Sequence, residues 1–497
     1  MRSYEAALDR ARASLRRLGI PSALPALHAI GIGISRDVLG GSHSVAIYPP
    51  IDSLMPLERG LAETIACGGE TSLYVHIAFC ETRCTFCHYT VDHYSGRSRA
   101  TARDNSNVAR YLAALNRELA YWGAKFARAG TVVSSVYIGG GTPLVLDEVA
   151  LRGVIYAIQN EFDVRDAAEI CVEGSPLTIT APDGEDKLRS LKEHGVTRLS
   201  FGVQSFDDEV LKYAARGYRR ETPVQACAIA SRIFENWNID LIQGLYKGST
   251  TEIWGNLAAI ADIIPPHLTW YHGRFADRPQ GHWSRTDARQ AGFEDELATL
   301  VGRMLIWQEM ATLGYGQTDG NRFVRAHQYT DPFKKIRTSA SSNLLGVGAG
   351  AYSHIGARTV KGNGSGLVFR NESNIRTYVD AALQGVAPVR TGRTVDEEEV
   401  LAASYATGLR TGRVEDDYLR VLRAAHPQLS AYYDALVEEL RAGGALEAYV
   451  CGDGGAGLRL SPLGRLFEDE TLSLFFSPAV KSTLSMKPTR ERHRQHA

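Results

Sequence analysis

The chain has 497 residues, of which 44% are apolar and 22% are charged, so it can bury a large core and form more than one domain. Its 55 Lys and Arg residues balance 56 Asp and Glu residues, and the net charge of −1 disfavours dedicated nucleic-acid binding. No stretch approaches the roughly 20 consecutive apolar residues of a membrane-spanning helix. The first residues predict a charged amphipathic helix and not a signal peptide. We therefore expect a cytoplasmic protein that binds no nucleic acid and no membrane.

Repeated units of a predicted strand and a predicted helix begin near residue 71. Apolar, β-branched runs alternate there with segments of helical periodicity. The predicted strands span residues 73–79, 132–138, 169–172, 198–203, 238–242 and 267–272. The predicted helices span residues 106–129, 147–162, 184–194, 221–234, 251–263 and 291–313. This order predicts parallel strands with crossover helices, and six units favour an α/β fold built as a partial (βα)6 TIM-like barrel.

Composition divides the chain into five regions. Residues 1–70 form an N-terminal extension, and residues 71–315 form the barrel. Residues 316–385 are rich in glycine and predict loops that close over a site. Residues 386–475 predict a small helical domain, with a winged helix as one option, and residues 476–497 predict a solvated basic tail.

The seven cysteines are unevenly placed, and their odd number fits reduced thiols in a cytosol. Four are scattered singly and are predicted to be small apolar fillers: Cys67, Cys171, Cys227 and Cys451. Three form a C-x3-C-x2-C pattern directly after the first predicted strand: Cys80, Cys84 and Cys87. In a barrel or a doubly wound sheet, functional residues occupy the loops that follow the strands.

Three thiolates at this spacing select zinc, copper or an iron–sulfur cluster. A cubane cluster held by three cysteines leaves its fourth iron open, and that iron can bind the amino and carboxylate groups of a small molecule. The alternative is a structural zinc ion whose fourth ligand is His88 or His93. Because the three cysteines share one short loop and do not come as two separate pairs, the pattern favours the cluster. His76, inside the strand, is predicted to be a packed, hydrogen-bonded residue.

The segment YVHIAFCETRCTFCHY, residues 74–89, resembles the cluster motif of radical S-adenosylmethionine (SAM) enzymes. It is most similar to the branch typified by oxygen-independent coproporphyrinogen III oxidase, with Ala78 in place of the usual proline. The resemblance extends over roughly residues 71–440. It implies a [4Fe–4S] cluster on the three cysteines, SAM on the open iron, and cleavage of SAM to a 5′-deoxyadenosyl radical. A reductant such as flavodoxin or ferredoxin is the implied electron donor.

The same resemblance covers the ends of the later strands. In the family, a Gly-Gly-x-Thr-Pro segment lies against the methionyl amino group, and glycine suits such a segment because its backbone can approach a ligand closely. The guanidinium of Arg216 suits bidentate pairing with the methionyl carboxylate, and the carboxylate of Asp240 suits ribose hydroxyls. The implied SAM contacts are Tyr74, Phe86, Gly140, Gly141, Thr142, Glu173, Gln204, Arg216 and Asp240.

Departures from the oxidases indicate a different reaction. Tyr89 stands where the oxidases carry a fourth cysteine, and Tyr246 stands in the usual Gly-Leu-Pro turn. The stretch 44–57 is similar to a Tyr-Pro-Pro segment of tailoring relatives. The resemblance therefore points to the class C radical SAM methyltransferases and cyclopropanases, which use two SAM molecules to modify an sp2 carbon of a small-molecule, natural-product type of substrate. An oxidative decarboxylase of the coproporphyrinogen type and a haem-binding chaperone stay open as alternatives.

Aromatic residues at the end of the sixth strand are the candidates for substrate binding. Trp270, Tyr271 and His272 are predicted to face the site, where they would suit a flat heteroaromatic substrate. The alternative is that they seal the open side of the barrel. Tyr352 and His354, in the glycine-rich segment, are further candidates.

Overall fold

The computed structural model describes residues 3–34, 48–58, 69–87, 89–94, 106–246, 249–272, 295–326, 331, 333, 343–355, 366–411, 417–450 and 456–486. Among the helices in those ranges, none combines the length and the apolar character needed to cross a bilayer.

The strands are β1 (Met55–Pro56), β2 (Glu70–Ile77), β3 (Phe79–Cys80), β4 (Asp92–His93), β5 (Val132–Gly140), β6 (Asp163–Gly174), β7 (Arg198–Gln204), β8 (Asn236–Gln243), β9 (His267–His272), β10 (Gly316–Asp319), β11 (Arg322–Val324), β12 (Asn343–Val347), β13 (Tyr352–Ile355), β14 (Gly366–Asn371), β15 (Val389–Val395), β16 (Leu446–Val450) and β17 (Ala456–Leu460).

The helices are α1 (Tyr4–Arg17), α2 (Leu24–Ala29), α3 (Ser106–Ala129), α4 (Glu148–Glu161), α5 (Pro176–Ile179), α6 (Gly184–Glu193), α7 (Asp208–Tyr213), α8 (Glu221–Ile233), α9 (Thr250–Ile263), α10 (Glu296–Thr312), α11 (Ile375–Leu383), α12 (Glu397–Thr411), α13 (Asp417–Ala425), α14 (Pro427–Ala442), α15 (Pro462–Leu466), α16 (Glu468–Ser473) and α17 (Pro478–Met486).

Six parallel strands form the centre of the molecule. They lie in the order β2-β5-β6-β7-β8-β9, and each pairs in parallel with its neighbour. The connections between them contain helices α3, α4, α6, α8 and α9, and α10 follows the last strand. The prediction of an α/β fold with six strand–helix units is confirmed. Strand β6 starts earlier than predicted, because Asp163 and Val164 already pair with Val132 and Val133 of β5.

The glycine-rich region 316–385 differs from its prediction. Its described residues include five strands that extend the central sheet, β10 and β11 beyond β9 and β12, β13 and β14 beyond β2, followed by helix α11. Glycine serves close strand packing here, since a Cβ at Gly346 would lie 2.3 Å from the carbonyl oxygen of Tyr352. Among the described residues, this sheet has 13 strands, and β12 also pairs with β2 in parallel.

The parallel strands place polar side chains on the inner face of the sheet. Ser72, Tyr74 and His76 of β2 share that face, while Leu73, Val75 and Ile77 are buried on the outer face. Paired residues of neighbouring strands lie on the same face. Tyr74 pairs with Tyr137 and Tyr137 pairs with Cys171, so all three lie on the inner face. The interior of the barrel is therefore polar and the layer against the helices is apolar.

The chain ends pack beside the barrel. Helix α1 lies along α10, where Arg10 donates to Glu309 at 2.6 Å and Gln308 donates to Ser14 at 2.7 Å. After β15, helices α12, α13 and α14 precede the two-stranded hairpin β16–β17, an order typical of a winged helix. The buried Glu399 of α12 accepts hydrogen bonds from Tyr48 and Ser477. The prediction of a solvated tail over residues 476–497 is wrong for its first part, because α17 (Pro478–Met486) packs with Val480 buried. Residues 487–497 lie outside the described residues.

Candidate functional site

The cysteine loop follows the first parallel strand and is held at its start and in its middle. Cys80 ends β3, which pairs with β4. Further along, the backbone N–H of Thr85 donates to the carbonyl of Ala214 at 3.3 Å, and its hydroxyl donates to the carbonyl of Tyr213 at 3.2 Å. The end of α7 thus fixes the middle of the loop that carries the three cysteines.

Burial keeps two of the three thiols protonated in the free protein. It raises the pKa of Cys80 to about 12 and the pKa of Cys87 to about 11. The hydroxyl of Thr142, 3.5 Å from the Cys80 sulfur, opposes the shift, and the neighbouring thiols add to it. Buried thiols with raised pKa values become ligands when a metal centre displaces their protons.

The chemistry of the donor set, three thiols on one short loop, fits an iron–sulfur cluster. Among the described residues, no three His, Cys, Asp or Glu side chains lie close enough together to hold one metal ion. His93 places Nδ1 3.4 Å from the carbonyl of Cys80, and His88 lies outside the described residues. A [4Fe–4S] cluster would bind each of the three cysteines on a different iron.

The Gly-Gly-Gly-Thr segment after β5 is tightly joined to the strand that leads to the cysteines. Gly141 donates to the carbonyl of Ile77 at 2.8 Å, and Thr142 donates to that of Phe79 at 2.7 Å. Gly140 has φ +108°, and a Cβ there would lie 2.4 Å from Nδ1 of His76. The N–H groups of this segment are therefore used inside the protein. The carbonyl of Thr142 accepts from the N–H of Val145 at 2.8 Å, so a ligand ammonium group would have to donate to the glycine carbonyls.

Glu173 at the end of β6 is held in place by two donors. The Tyr137 hydroxyl donates to one carboxylate oxygen at 2.5 Å, and the N–H of Gly140 donates to the other at 3.1 Å. Burial and the adjacent Glu173 raise the pKa of Tyr137 well above its usual value, so this hydroxyl stays a donor. Glu173 lies on the inner face, between the glycine segment and β7.

Gln204, the last residue of β7, has the features of a ligand contact. Its φ of +74° is in the left-handed region, which costs a non-glycine residue roughly 1–2 kcal/mol. Its side chain is buried, and no described residue hydrogen-bonds its Oε1. Strain and an orphaned acceptor at a strand end are typical of functional sites, and this acceptor fits an ammonium or amino group of SAM.

Arg216 joins the cysteine loop to the end of β7. Its Nη1 lies 2.9 Å from the Cys84 sulfur, its Nη2 donates to the carbonyl of Gly202 at 2.5 Å, and its Nε donates to the Tyr218 hydroxyl at 2.8 Å. On β8, Asp240 accepts a hydrogen bond of 2.8 Å from Asn238. The sequence did not single out Tyr218 or Asn238, although each is polar and two residues from a predicted contact.

Phe86 and Tyr74 support the site through packing. Phe86 packs against Val210, Ala214 and Leu245, at the ends of α7 and β8. The Tyr74 ring stacks on Tyr137, with 6.2 Å between centroids, and its hydroxyl lies 3.1 Å from Nδ1 of His76.

His76 is a packed strand residue, as predicted. Its Nε2 donates to the carbonyl of Thr90 at 2.8 Å. Burial lowers the pKa of His76 to about 4, so the ring is neutral.

Two of the predicted substrate residues point away from the site. Register pairs Trp270 with Leu241 and His272 with Gln243, on the outer face of the sheet. Gln243 donates to Thr299 of α10 and is 3.0 Å from His272, which places both against the helix. The prediction that Trp270 and His272 face the site is wrong, because the sequence gives the alternation along a strand but not its phase.

Tyr271 and the glycine-rich segment remain near the inner face. Tyr271 lies on the same face as Asp240 and is 39% exposed. Tyr352 is buried, and its hydroxyl donates to the carbonyl of Pro49 at 3.2 Å. His354 is also buried on the inner face. Of the aromatic candidates, Tyr271 is thus the most accessible to a substrate.

Ion pairs close the opposite end of the barrel interior. Asp331 lies 3.4 Å from Arg198, at the start of β7, and 3.0 Å from Arg322. Phe333 stacks on Tyr137 with 4.6 Å between ring centroids. These contacts occupy the barrel interior at the start of β7 and beside Tyr137 of β5.

Comparisons with known proteins agree with this geometry. Residues 74–254 match the model of the Radical SAM superfamily. The chain is 32% identical over 201 residues to the heme chaperone HemW of Escherichia coli, a match covering 40% of this chain and 50% of that protein. It is 29% identical over 303 residues to the oxygen-independent coproporphyrinogen III oxidase of Escherichia coli, covering 57% and 61%. The chain thus spans about half the length of the first of these relatives and under two thirds of the second.

A second heme chaperone and one solved structure cover more of the chain. HemW of Bacillus subtilis is 28% identical over 383 residues, covering 72% of this chain and 89% of that protein. The structure of coproporphyrinogen III oxidase from Escherichia coli superposes with a TM-score of 0.69 and 22% identity, covering 90% of this chain and 99% of that one, and shows the shared fold. The family implies a [4Fe–4S] cluster and SAM. The chain is thus similar to the Radical SAM superfamily over residues 74–254, and it is similar in sequence to HemW and to oxygen-independent coproporphyrinogen III oxidase.

Proposed function

We propose that this protein is an active radical SAM enzyme that holds a [4Fe–4S] cluster on Cys80, Cys84 and Cys87. Bound there, the reduced cluster supplies the single electron that splits SAM into methionine and a 5′-deoxyadenosyl radical, which abstracts hydrogen. A flavodoxin or ferredoxin suits the role of electron donor. The observation that carries the proposal is Arg216, a buried cation that touches the cysteine loop where a SAM carboxylate is needed.

Each polar group around the loop binds a different part of SAM. Arg216 offers its remaining N–H groups to the methionyl carboxylate. Glu173, the orphaned Oε1 of Gln204 and the carbonyls of the glycine segment accept from the ammonium or amino groups. Asp240 accepts from the ribose hydroxyls. A protein that only carries haem does not need this set, so the set favours catalysis.

The comparisons favour chemistry related to haem as the first candidate. The matched relatives are named as a coproporphyrinogen oxidase and as heme chaperones. On that basis, the substrate class is a porphyrinogen or a related conjugated ring system. The reaction is then hydrogen abstraction from a side chain followed by loss of CO2, with one electron passed to an acceptor.

Methyl transfer or cyclopropanation is the second candidate, and two features of this chain favour it. Tyr89 replaces the fourth cysteine of the oxidases and is exposed beside the loop. The Tyr-Pro-Pro segment is held beside the inner face, where Tyr352 donates to Pro49. In this reaction, the adenosyl radical takes hydrogen from the methyl group of a second SAM, and the resulting carbon radical adds to an sp2 carbon of the substrate. A proton shift, one further electron from the flavodoxin or ferredoxin and cleavage of the carbon–sulfur bond then release S-adenosylhomocysteine and leave a methyl group.

One anaerobic experiment separates these reactions. The reconstituted protein is given dithionite, SAM deuterated on its methyl group, and either coproporphyrinogen III or a host metabolite extract. Deuterated 5′-deoxyadenosine with S-adenosylhomocysteine indicates methyl chemistry. Undeuterated 5′-deoxyadenosine with a product lighter by CO2 indicates oxidative decarboxylation.

The alternative hypothesis, a haem-binding chaperone without catalytic activity, is tested with the same preparation. A Soret band on mixing with haem, without 5′-deoxyadenosine under any condition, would contradict the proposed catalysis. Cys84→Ala is the control, because every product that depends on the cluster must disappear with it.

A further inference from the structure

The contact between Arg216 and Cys84 is fixed by the main chain on both sides. Thr85, next to Cys84, donates hydrogen bonds to the carbonyls of Tyr213 and Ala214 at the end of α7. Ala215 then takes a left-handed conformation with φ +55°, which turns the chain back before Arg216. The backbone therefore sets the distance between the main chain at Arg216 and the cysteine loop.

The guanidinium itself is immobilised by three acceptors. One is the Cys84 sulfur at 2.9 Å, the second is the carbonyl of Gly202 at 2.5 Å, and the third is the hydroxyl of Tyr218 at 2.8 Å. The Tyr218 ring also lies 5.4 Å from the guanidinium carbon. Because Arg216 is 8% exposed, its charge acts on the sulfur with little screening by solvent.

A hydrogen bond from a cation to a cluster sulfur has a known direction of effect. Reduction adds one negative charge to an iron–sulfur cluster, and a donor on a ligand sulfur stabilises the more negative state. The reduction potential therefore rises. Reductive cleavage of SAM needs the reduced cluster. A higher reduction potential therefore makes it easier for an electron carrier to reduce the cluster.

We propose that Arg216, positioned by Tyr218 and the carbonyl of Gly202, hydrogen-bonds to the cluster ligand Cys84 and raises the reduction potential of the cluster. This is a role additional to pairing with SAM, and it operates before SAM binds. It rests on the proposed function, because it requires the cluster to sit on the cysteine loop.

The test is a redox titration of the full-length reconstituted protein without SAM, followed by electron paramagnetic resonance of the reduced cluster. Arg216→Gln is compared with Arg219→Gln, which removes the same charge from an exposed side chain three residues away. We expect Arg216→Gln to shift the midpoint potential to a more negative value and Arg219→Gln to leave it at the wild-type value. Tyr218→Phe should give a smaller shift in the same direction. Arg216→Lys keeps the charge but loses the planar fork of donors, so its midpoint potential should lie between those of wild type and Arg216→Gln.

The outcomes separate the two claims. A wild-type protein that yields no [4Fe–4S] signal would contradict the proposed function itself. A wild-type cluster whose potential is unchanged by Arg216→Gln, or shifted equally by Arg219→Gln, would overturn the inference alone. If Arg216→Gln fails to hold the cluster, Arg216→Lys and Tyr218→Phe provide the test. Midpoint potentials equal to the wild-type value in both variants would overturn the inference.

Discussion

Asn238 donates a hydrogen bond of 2.8 Å from Nδ2 to Oδ1 of Asp240, two residues further along β8. The same Nδ2 donates to the hydroxyl of Ser200 at 3.0 Å, and the hydroxyl of Thr269 donates to Oδ1 of Asn238 at 3.2 Å. Both hydrogens of the amide are thus used, which fixes its orientation. Asn238 in turn fixes the carboxylate that we assign to the ribose of SAM.

Asn238→Ala is expected to weaken SAM binding about tenfold, since loss of a hydrogen bond to a charged group costs roughly 1.5 kcal/mol. The measurement is equilibrium binding of SAM to the reconstituted protein. If Asn238 acts through Asp240, its removal should cost little more in an Asp240→Asn background. Ser200→Ala, which leaves the bond to Asp240 in place, is the matched control. Fully additive losses in the double variant would contradict a positioning role.

Alanine at Cys80, Cys84 or Cys87 is expected to remove most of the iron, which should be about four atoms per chain in the reconstituted protein. Cys227 supplies the control, because it is buried in α8 away from the loop. Iron and sulfide analysis with the absorbance near 400 nm measures both. A Cys84→Ala protein with the wild-type iron content would show that the cluster lies elsewhere.

Gly140→Ala should destabilise the protein by roughly 1–3 kcal/mol, because it places a Cβ 2.4 Å from the His76 ring at a φ of +108°. Urea denaturation measures the free energy of unfolding. Gly153→Ala in α4 is the contrasting control, because its Cβ meets nothing within 4 Å and alanine stabilises a helix interior by roughly 0.5–1 kcal/mol. Equal unfolding free energies for Gly140→Ala and wild type would refute the close approach of the two segments.

Glu118 makes the stability depend on pH. This buried carboxylate of α3 accepts from Gly348 at 2.9 Å, from Tyr378 at 2.7 Å and from Asn371 at 2.7 Å. Burial raises the pKa of Glu118 from 4.5 to about 7. The folded state thus holds the proton more tightly than the unfolded state, so its stability falls as the pH rises from about 4.5 to about 7.

Glu118→Gln should remove that dependence. Between pH 5 and 8, the free energy of unfolding of wild type should fall relative to the variant by roughly 2–3 kcal/mol, at 1.36 kcal/mol for each pKa unit. Denaturation curves at several pH values for both proteins provide the measurement. Parallel pH profiles would mean that Glu118 does not titrate as its burial requires.

The parallel strands could be predicted because each is a short apolar run between breaks, and five of the six begin within three residues of the observed start. The strands of the glycine-rich region could not. Residues such as Gly346 are typical of loops. Glycine is required at this position because a Cβ there would lie 2.3 Å from the Tyr352 carbonyl oxygen, a contact that exists only in the folded sheet. Their pairing partners are also distant in sequence, since Asn343 lies beside Thr71.

The site was predictable where a motif carries the chemistry, as at the three cysteines. It was not predictable where a contact depends on register. The sequence predicts the wrong face for Trp270 and His272, because a shift of one residue along a strand moves a side chain from the barrel interior to the face that packs on the helices. Tyr218 and Asn238 become important only through the residues that they hold, and such contacts across or along a strand leave no periodic signal.

The most direct test is to incubate the reconstituted wild-type protein and Cys84→Ala with SAM and dithionite in the absence of oxygen, and to quantify 5′-deoxyadenosine and methionine. We predict that wild type forms both in equal amounts and that Cys84→Ala forms neither. A wild-type protein with an intact cluster that leaves SAM uncleaved, or a variant as active as wild type, would contradict the assignment of this loop as the site of radical formation.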